Sequence, residues 1–170
     1  HESAIIKFKD QDGKEVSLYT EEFHKRSAEV KYSRIMRLGE GFLSDVQEKS
    51  SAMIGDADPK RNQIGVVLSI ISQTGLRVGT KASKGETGNE GITTLSAGSI
   101  TVKGDEISLD FIGKSNKRNI AFIKDKKLAQ AVSQLVEGKA ISDPVFDVND
   151  SDIINTLRGD FGYPEDVKTK

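Results

Sequence analysis

Apolar and polar positions along the chain follow two periods, and the change from one to the other marks its elements. Residues 4–19 alternate weakly around Gln11-Asp12-Gly13, which predicts a hairpin. From about Thr20 the period becomes helical. Ile35, Leu38, Phe42 and Val46 recur at spacings of three and four, the signature of one helix face, although Gly39 and Gly41 argue against an unbroken rod. A better-marked helix follows. Asp58 is a capping residue, Pro59 suits the first turn, Ile64, Val67, Leu68 and Ile71 form a stripe, and Thr74-Gly75 reads as the stop. Residues 80–91, TKASKGETGNEG, are polar and glycine-rich and predict a loop.

Period two then takes over. Ile100 and Val102 form one strand, and Ile107, Leu109 and Phe111 form a second after the hairpin signal Gly104-Asp105. Ile120 and Phe122 continue the pattern in a third, so residues 113–119, GKSNKRN, are expected to be the connecting turn. Asp125 caps a helix carrying Leu128, Val132, Leu135 and Val136, which Gly138 stops. Asn149 or Ser151 starts a last helix with Ile153, Ile154, Leu157 and Phe161, ended by Pro164. The predicted class is α+β, mostly helical around a small three-stranded antiparallel sheet.

Composition adds limits. The 170 residues suit one ordinary domain, or a small one plus an arm, and 35% hydrophobic with 30% charged is a globular balance. No apolar run approaches the ~20 residues that a membrane span needs. The first residue is His1, so a processed or cloned piece of something longer is expected, and the start HESAIIKFKD lacks the apolar core of a secretory signal. There is no cysteine, and His1 and His24 cannot build a histidine zinc site, so neither metal nor disulfide is expected. The net charge is −1, but it is unevenly spread. Lys25, Arg26, Lys31, Arg34 and Arg37 stand against Glu29, and Lys114, Lys117, Arg118, Lys124, Lys126 and Lys127 against Asp125; from Asp143 to Asp166 the sign reverses. A balanced total can hide a cationic face for phosphates, or these runs are simply solvated.

Gly113-Lys114-Ser115 looks like the tail of a phosphate-binding P-loop, and fails as one. The motif needs a glycine where Ser108 stands, a loop where Leu109 to Ile112 form a strand, and a helix after Ser115. What remains is a lysine on a hairpin tip, either protecting an exposed turn or acting on a ligand.

Longer stretches favour the second role. RNQIGVVLSIISQTGLRVG (61–79) resembles the helix and turn leading into the first catalytic arginine of type IB DNA topoisomerases. GITTLSAGSITVKGDEISLDFIGKSNKR (91–118) is similar to that family's next segment: a Gly-Leu-Thr-Thr-Leu-type strand, a hairpin, then Phe-x-Gly-Lys. YTEEFHKRSAEVKYSRIMRLGEGF (19–42) is similar to its basic interdomain stretch, and DPVFDVNDSDIINTLRGDFGYPEDVKTK (143–170) to the helix before its second arginine. The order is right across nearly the whole chain, and it points to the short viral and bacterial branch.

The resemblance implies a fold, a mechanism and site residues. A tyrosine attacks a phosphodiester of double-stranded DNA to form a 3′-phosphotyrosyl bond, the broken strand swivels, and the bond is resealed, without ATP, nucleotide or other cofactor. Arg77 matches the first catalytic arginine and Lys114 the hairpin lysine that protonates the departing 5′-oxygen. Arginine's donor fork suits oxygens whose charge grows in the transition state. A lysine serves as a general acid when its surroundings disfavour the charged form, and Lys117 and Arg118 act in that direction. Gly79, Thr80 and Lys81 stand where the family often has Gly-Asn-Glu touching DNA phosphates, Thr80 and Lys81 departing from that form. Ser115, Lys117 and Arg118 complete the expected DNA-binding set.

The tyrosines Tyr19, Tyr32 and Tyr163 do not lie where the family puts its nucleophile. Residues 1–20 are expected to be a remnant of the N-terminal domain or arm, and 21–170 the front of a catalytic domain cut before the second arginine and the tyrosine. Such a chain would be an inactive, monomeric fragment, from a cytoplasmic, nucleoid-associated or viral protein that is not secreted. The alternatives are a backbone-binding DNA module without catalysis and a tyrosine-recombinase-like fragment.

Overall fold

The computed structural model of the chain describes residues 6–11, 13, 15–21, 23, 25, 39 and 41–165. They belong to two compact units, 1–40 and 41–170. In the first, strands β1 (Ile6–Lys9) and β2 (Glu15–Leu18) form the expected antiparallel hairpin, with Ile6 opposite Leu18 and Phe8 opposite Val16. Gly13 turns the chain at φ +77° and donates its N–H to the Asp10 carbonyl at 3.0 Å. Glu21, Phe23 and Lys25 are helical, as expected after Thr20. The apolar positions Ile35 and Leu38 and the basic residues Arg26, Lys31, Arg34 and Arg37 lie outside the described residues.

The second unit is built on a helix pair. Helix α1 (Phe42–Met53) packs on α2 (Pro59–Thr74). Asp58 caps α2 by accepting from the Lys60 N–H at 2.9 Å, and Gly75 stops it at φ +68°. Both ends fall where the sequence places them. The stripe is wider than expected, because α2 touches α1, the strand Lys117–Lys124 and two further helices and is therefore covered on several sides. Val66, Val67 and Ile70 are fully buried beside Leu68, each such side chain stabilising the fold by about 1.5–3 kcal/mol. The α1–α2 approach depends on Gly65. A Cβ there would meet Met53 Cβ at 2.7 Å and the Ser50 carbonyl at 2.8 Å. Nearby, the buried Ser50 and Ser69 hydroxyls satisfy each other at 2.9 Å.

After Gly79 the expected loop is instead a short helix, α3 (Lys81–Thr87). Thr80 caps it by accepting from the Ser83 N–H at 3.2 Å, and Gly88 ends it at φ +72°. Polar composition masks these two signals. The expected Gly-Ile-Thr-Thr-Leu strand is also different: Ile92–Thr94 is a single 3-10 turn, because both threonines bond backward to main-chain groups.

Strands β3 (Ile100–Lys103), β4 (Glu106–Gly113) and β5 (Lys117–Lys124) form the antiparallel sheet in sequence order. The fold is α+β, as expected. Ile100, Ile107, Leu109, Phe111 and Ile123 are buried on one face, toward α2 and α4 (Lys126–Val136). The third strand is out of phase with the expectation. Ile120 pairs with Asp110 and Phe122 with Ser108, which puts both on the outer face, 54% and 68% exposed; Ala121 and Ile123 point inward. A one-residue change of phase exchanges faces, and the register with β4 decided it. Asp125 caps α4 through the Leu128 N–H at 3.0 Å. Asn149 and Asp152 form a reciprocal cap on helix α5 (Asp150–Asn155), which continues as a π-helical turn, Thr156–Asp160.

Candidate functional site

Two backbone segments face each other across the site, and each is pinned to residues 90–94. On one side the chain leaves Gly75 and runs without regular secondary structure to Gly79. The Arg77 carbonyl accepts from the Ile92 N–H at 2.9 Å, and the Val78 carbonyl accepts from the Thr93 N–H at 2.7 Å and from its hydroxyl at 3.0 Å. Val78 is buried and its neighbour Arg77 is exposed. The segments come so close that a Cβ on Gly91 would lie 2.3 Å from Gly79 Cα. Only two glycines can cross there.

On the other side stands the hairpin tip. The turn is tighter than the expected 113–119: β4 runs to Gly113, Lys114–Asn116 make the bend, and β5 begins at Lys117. Ser115 and Asn116 both hold left-handed backbone, φ +62° and +57°. Such geometry costs a non-glycine residue about 1–2 kcal/mol, less for asparagine. Strain of this kind persists where surrounding contacts fix it and gathers at functional sites. Here the Glu90 N–H donates to the Ile112 carbonyl at 2.7 Å, tying the tip to the same segment that holds Arg77.

Arg77 and Lys114 therefore share a groove. A cleft of about 230 Å³ is lined by both, with Gly79, Thr80, Ser83, Asn89, Glu90 and Asp150 among its walls. A second, of about 330 Å³, is again lined by Arg77, Lys114 and Glu90, with Ser115, Lys117 and Asn119. Among the described residues, no hydrogen bond or ion pair engages the Arg77 guanidinium or the Lys114 ammonium.

Two candidates stand apart. Lys81 opens α3, largely exposed, with Asp147 at 3.9 Å. Arg118 lies on β5 and lines neither cleft; it makes a two-pronged ion pair with Asp110, at 2.8 and 2.6 Å. The hydrogen bond from Arg118 holds the Asp110 carboxyl below its usual range, and Asp110 raises Arg118 in return. Sequence reasoning missed Ser83, Asn89, Asn119, Glu90 and Asp150. Nothing in the local pattern marks Glu90 or Asp150: Glu90 lies in the stretch read as a polar loop, and Asp150 at the start of the last helix within an acidic run.

The sequence that builds this scaffold also matches a known family. A family profile described as "Eukaryotic DNA topoisomerase I, catalytic core" covers residues 20–161. The chain belongs to the type IB DNA topoisomerase family. The matched span contains every residue of both clefts, and DNA is the family's partner. No curated protein matches the topoisomerase chain. Among its described residues no helix is long and apolar enough to cross a membrane, and no cluster of three or more His, Cys, Asp or Glu could hold a metal ion.

Tyr163 is engaged elsewhere in this topoisomerase core. Its hydroxyl donates to Asp45 on α1, and Lys49 pairs with the same carboxylate at 2.9 Å. Burial first, and then the Asp45 hydrogen bond, push the phenol well above its usual range. It lines neither cleft.

Proposed function

We propose that the groove between Arg77 and Lys114 holds one phosphate of duplex DNA, and that it serves the supercoil-relaxing reaction of a type IB topoisomerase of the short viral and bacterial branch. The observation carrying this reading is the shared cleft: two cations 37 positions apart in sequence line one opening, on backbone segments fixed to each other through residues 90–94. In the reaction a tyrosine oxygen bonds to phosphorus and the bond to the 5′-oxygen breaks. Arg77 donates to the non-bridging oxygens as their charge grows. Lys114 gives its proton to the departing 5′-oxygen and retrieves it on religation. Gly79, Thr80, Lys81, Ser115 and Lys117 hold the flanking backbone. Arg118 steadies the hairpin through Asp110 and contributes to the local field. The swivel is driven by the torsion in the DNA, so neither ATP nor another nucleotide enters.

By the resemblance, Tyr19, Tyr32 and Tyr163 do not stand where the family puts its nucleophile, so on this reading none of them attacks the phosphate. A nucleophilic phenol needs its proton removed, and Tyr163 is held protonated against Asp45. On this reading the 170-residue chain binds DNA as a monomer and does not cleave it.

Two assays on purified 1–170 test this. On duplex DNA, Arg77, Lys81, Lys114 and Lys117 give a slope of log Kobs against log salt of about −3 to −4. On nicked or supercoiled DNA quenched with detergent, no covalent adduct forms. A flat salt response contradicts the phosphate groove, and an adduct contradicts the assignment of the tyrosines.

A further inference from the structure

Helix α3 carries Lys81 and follows directly from Thr80, yet none of its residues is buried. A helix of seven residues is far below the ~12–15 at which isolated helices become marginal, so something other than a core must hold it. Its ends supply part of the answer, through Thr80 and Gly88. The rest comes from Lys84. This ammonium donates to Glu90 Oε1 at 3.0 Å, to the Thr94 carbonyl at 2.7 Å and to Ser96 Oγ at 2.8 Å. Three acceptors match its three protons, so no donor is left for a ligand.

Glu90 is equally committed. Its Oε1 also accepts from Ser96 Oγ at 2.6 Å, and its Oε2 accepts from Ser99 Oγ at 2.8 Å. The two side chains are 31% and 11% exposed, so the pair is sheltered from the solvent that weakens surface ion pairs. The backbone of Glu90 holds the Ile112 carbonyl, two residues before Lys114, and Glu90 lines both clefts. One pair thus joins α3, the 3-10 turn, the turn leading into β3 and the hairpin tip.

We propose that Lys84 and Glu90 are positioning residues whose ion pair fastens α3, with Thr80, Lys81 and Ser83, against the Arg77–Lys114 cleft before DNA arrives. The inference rests on the reading of that cleft as the phosphate site. Neither residue touches the phosphate. Their contribution is preorganisation, which lowers the ordering cost paid on binding.

The sign of one substitution separates this from a pure charge effect. Glu90 is an acid in the wall of a phosphate groove. If charge were all that mattered, Glu90→Gln would strengthen DNA binding by removing a repulsion and releasing Lys84. Positioning predicts the reverse: Glu90→Gln weakens duplex binding by about fivefold or more, the equivalent of one lost charge-assisted contact. The double variant Lys84→Met/Glu90→Met leaves net charge unchanged and should remain as weak. Amide exchange on the free chain supplies the independent reading. In Glu90→Gln, exchange at 81–88 should accelerate while α2 amides keep their protection.

Tighter binding by Glu90→Gln, wild-type binding by the double variant, or a loss of protection spread equally through α2 would each overturn the proposal. If the wild-type chain shows no salt-dependent DNA binding, the phosphate reading fails instead, while the exchange measurement still reports whether the pair fastens α3.

Discussion

Gly91→Ala is the sharpest test of how the groove is built. Gly91 has extended backbone, φ −134°, so alanine is conformationally acceptable and only space opposes it. The new Cβ would stand 2.3 Å from Gly79 Cα, 2.5 Å from Gly79 N and 2.8 Å from the Val78 carbonyl carbon. Ordinary contact begins at 3.4 Å, so the two segments must part by about 1.1 Å, and every obstructing atom is backbone. A full separation carries the bonds from Ile92 to Arg77 and from Thr93 to Val78, now 2.9 and 2.7 Å, past useful geometry. Two lost hydrogen bonds at about 1 kcal/mol each, with about 1–3 kcal/mol of overpacking, give a loss of about 3–5 kcal/mol. For a chain of this size, melting should fall by about 6–20 °C. Arg77 moves with its carbonyl, so DNA affinity should fall even at temperatures where the variant stays folded. Far-UV dichroism on heating, with fluorescence anisotropy on a labelled duplex, measures both. Gly85→Ala is the control: nothing lies within 4 Å of its Cβ, and on α3 it should stabilise by about 0.5–1 kcal/mol. A Gly91→Ala protein that melts and binds like wild type would refute the crossing-glycine account.

Gly65→Ala should also destabilise, by about 1–3 kcal/mol, because its Cβ collides with Met53 and Ser50 across the α1–α2 contact; chemical denaturation measures it, and DNA affinity at low temperature should be unchanged. Acid sensitivity should trace partly to Glu90. Burial alone would raise its carboxyl, but hydrogen bonds from Ser96, Ser99 and Lys84 outweigh burial and hold it below the ordinary 4.5. Its folded value is depressed, so its stabilisation is complete above 4.5 and is lost as pH falls through the folded value. The melting difference between wild type and Glu90→Gln should therefore be constant near neutrality and shrink below about pH 4.5; a difference unchanged down to about pH 3 would contradict the sign.

The helices were legible where local chemistry decides them. Asp58-Pro59, Thr74-Gly75, Asp125 and Asn149 mark ends whose capping bonds form within a few residues. The strands were legible as a period but not as faces. Whether Ile120 or Ala121 points inward depends on pairing with β4, which the third strand's own alternation does not encode. Helix α3 was missed because its anchors, Glu90, Thr94 and Ser96, are distant side chains or carbonyls that composition does not weigh. The same holds for the groove. Arg77 and Lys114 were found through resemblance, while Glu90 and Asp150 entered its walls only through tertiary packing.

The central claim is that Arg77 and Lys114 act on one phosphate, and a double-mutant cycle tests it most directly. Duplex affinity of wild type, Arg77→Ala, Lys114→Ala and the double variant, measured at one low salt concentration, yields the coupling between the two side chains. A shared phosphate predicts that the losses fail to add, by about 0.5–3 kcal/mol. Losses that add to within about 0.3–0.5 kcal/mol would mean that the two cations serve separate contacts, and would contradict the account.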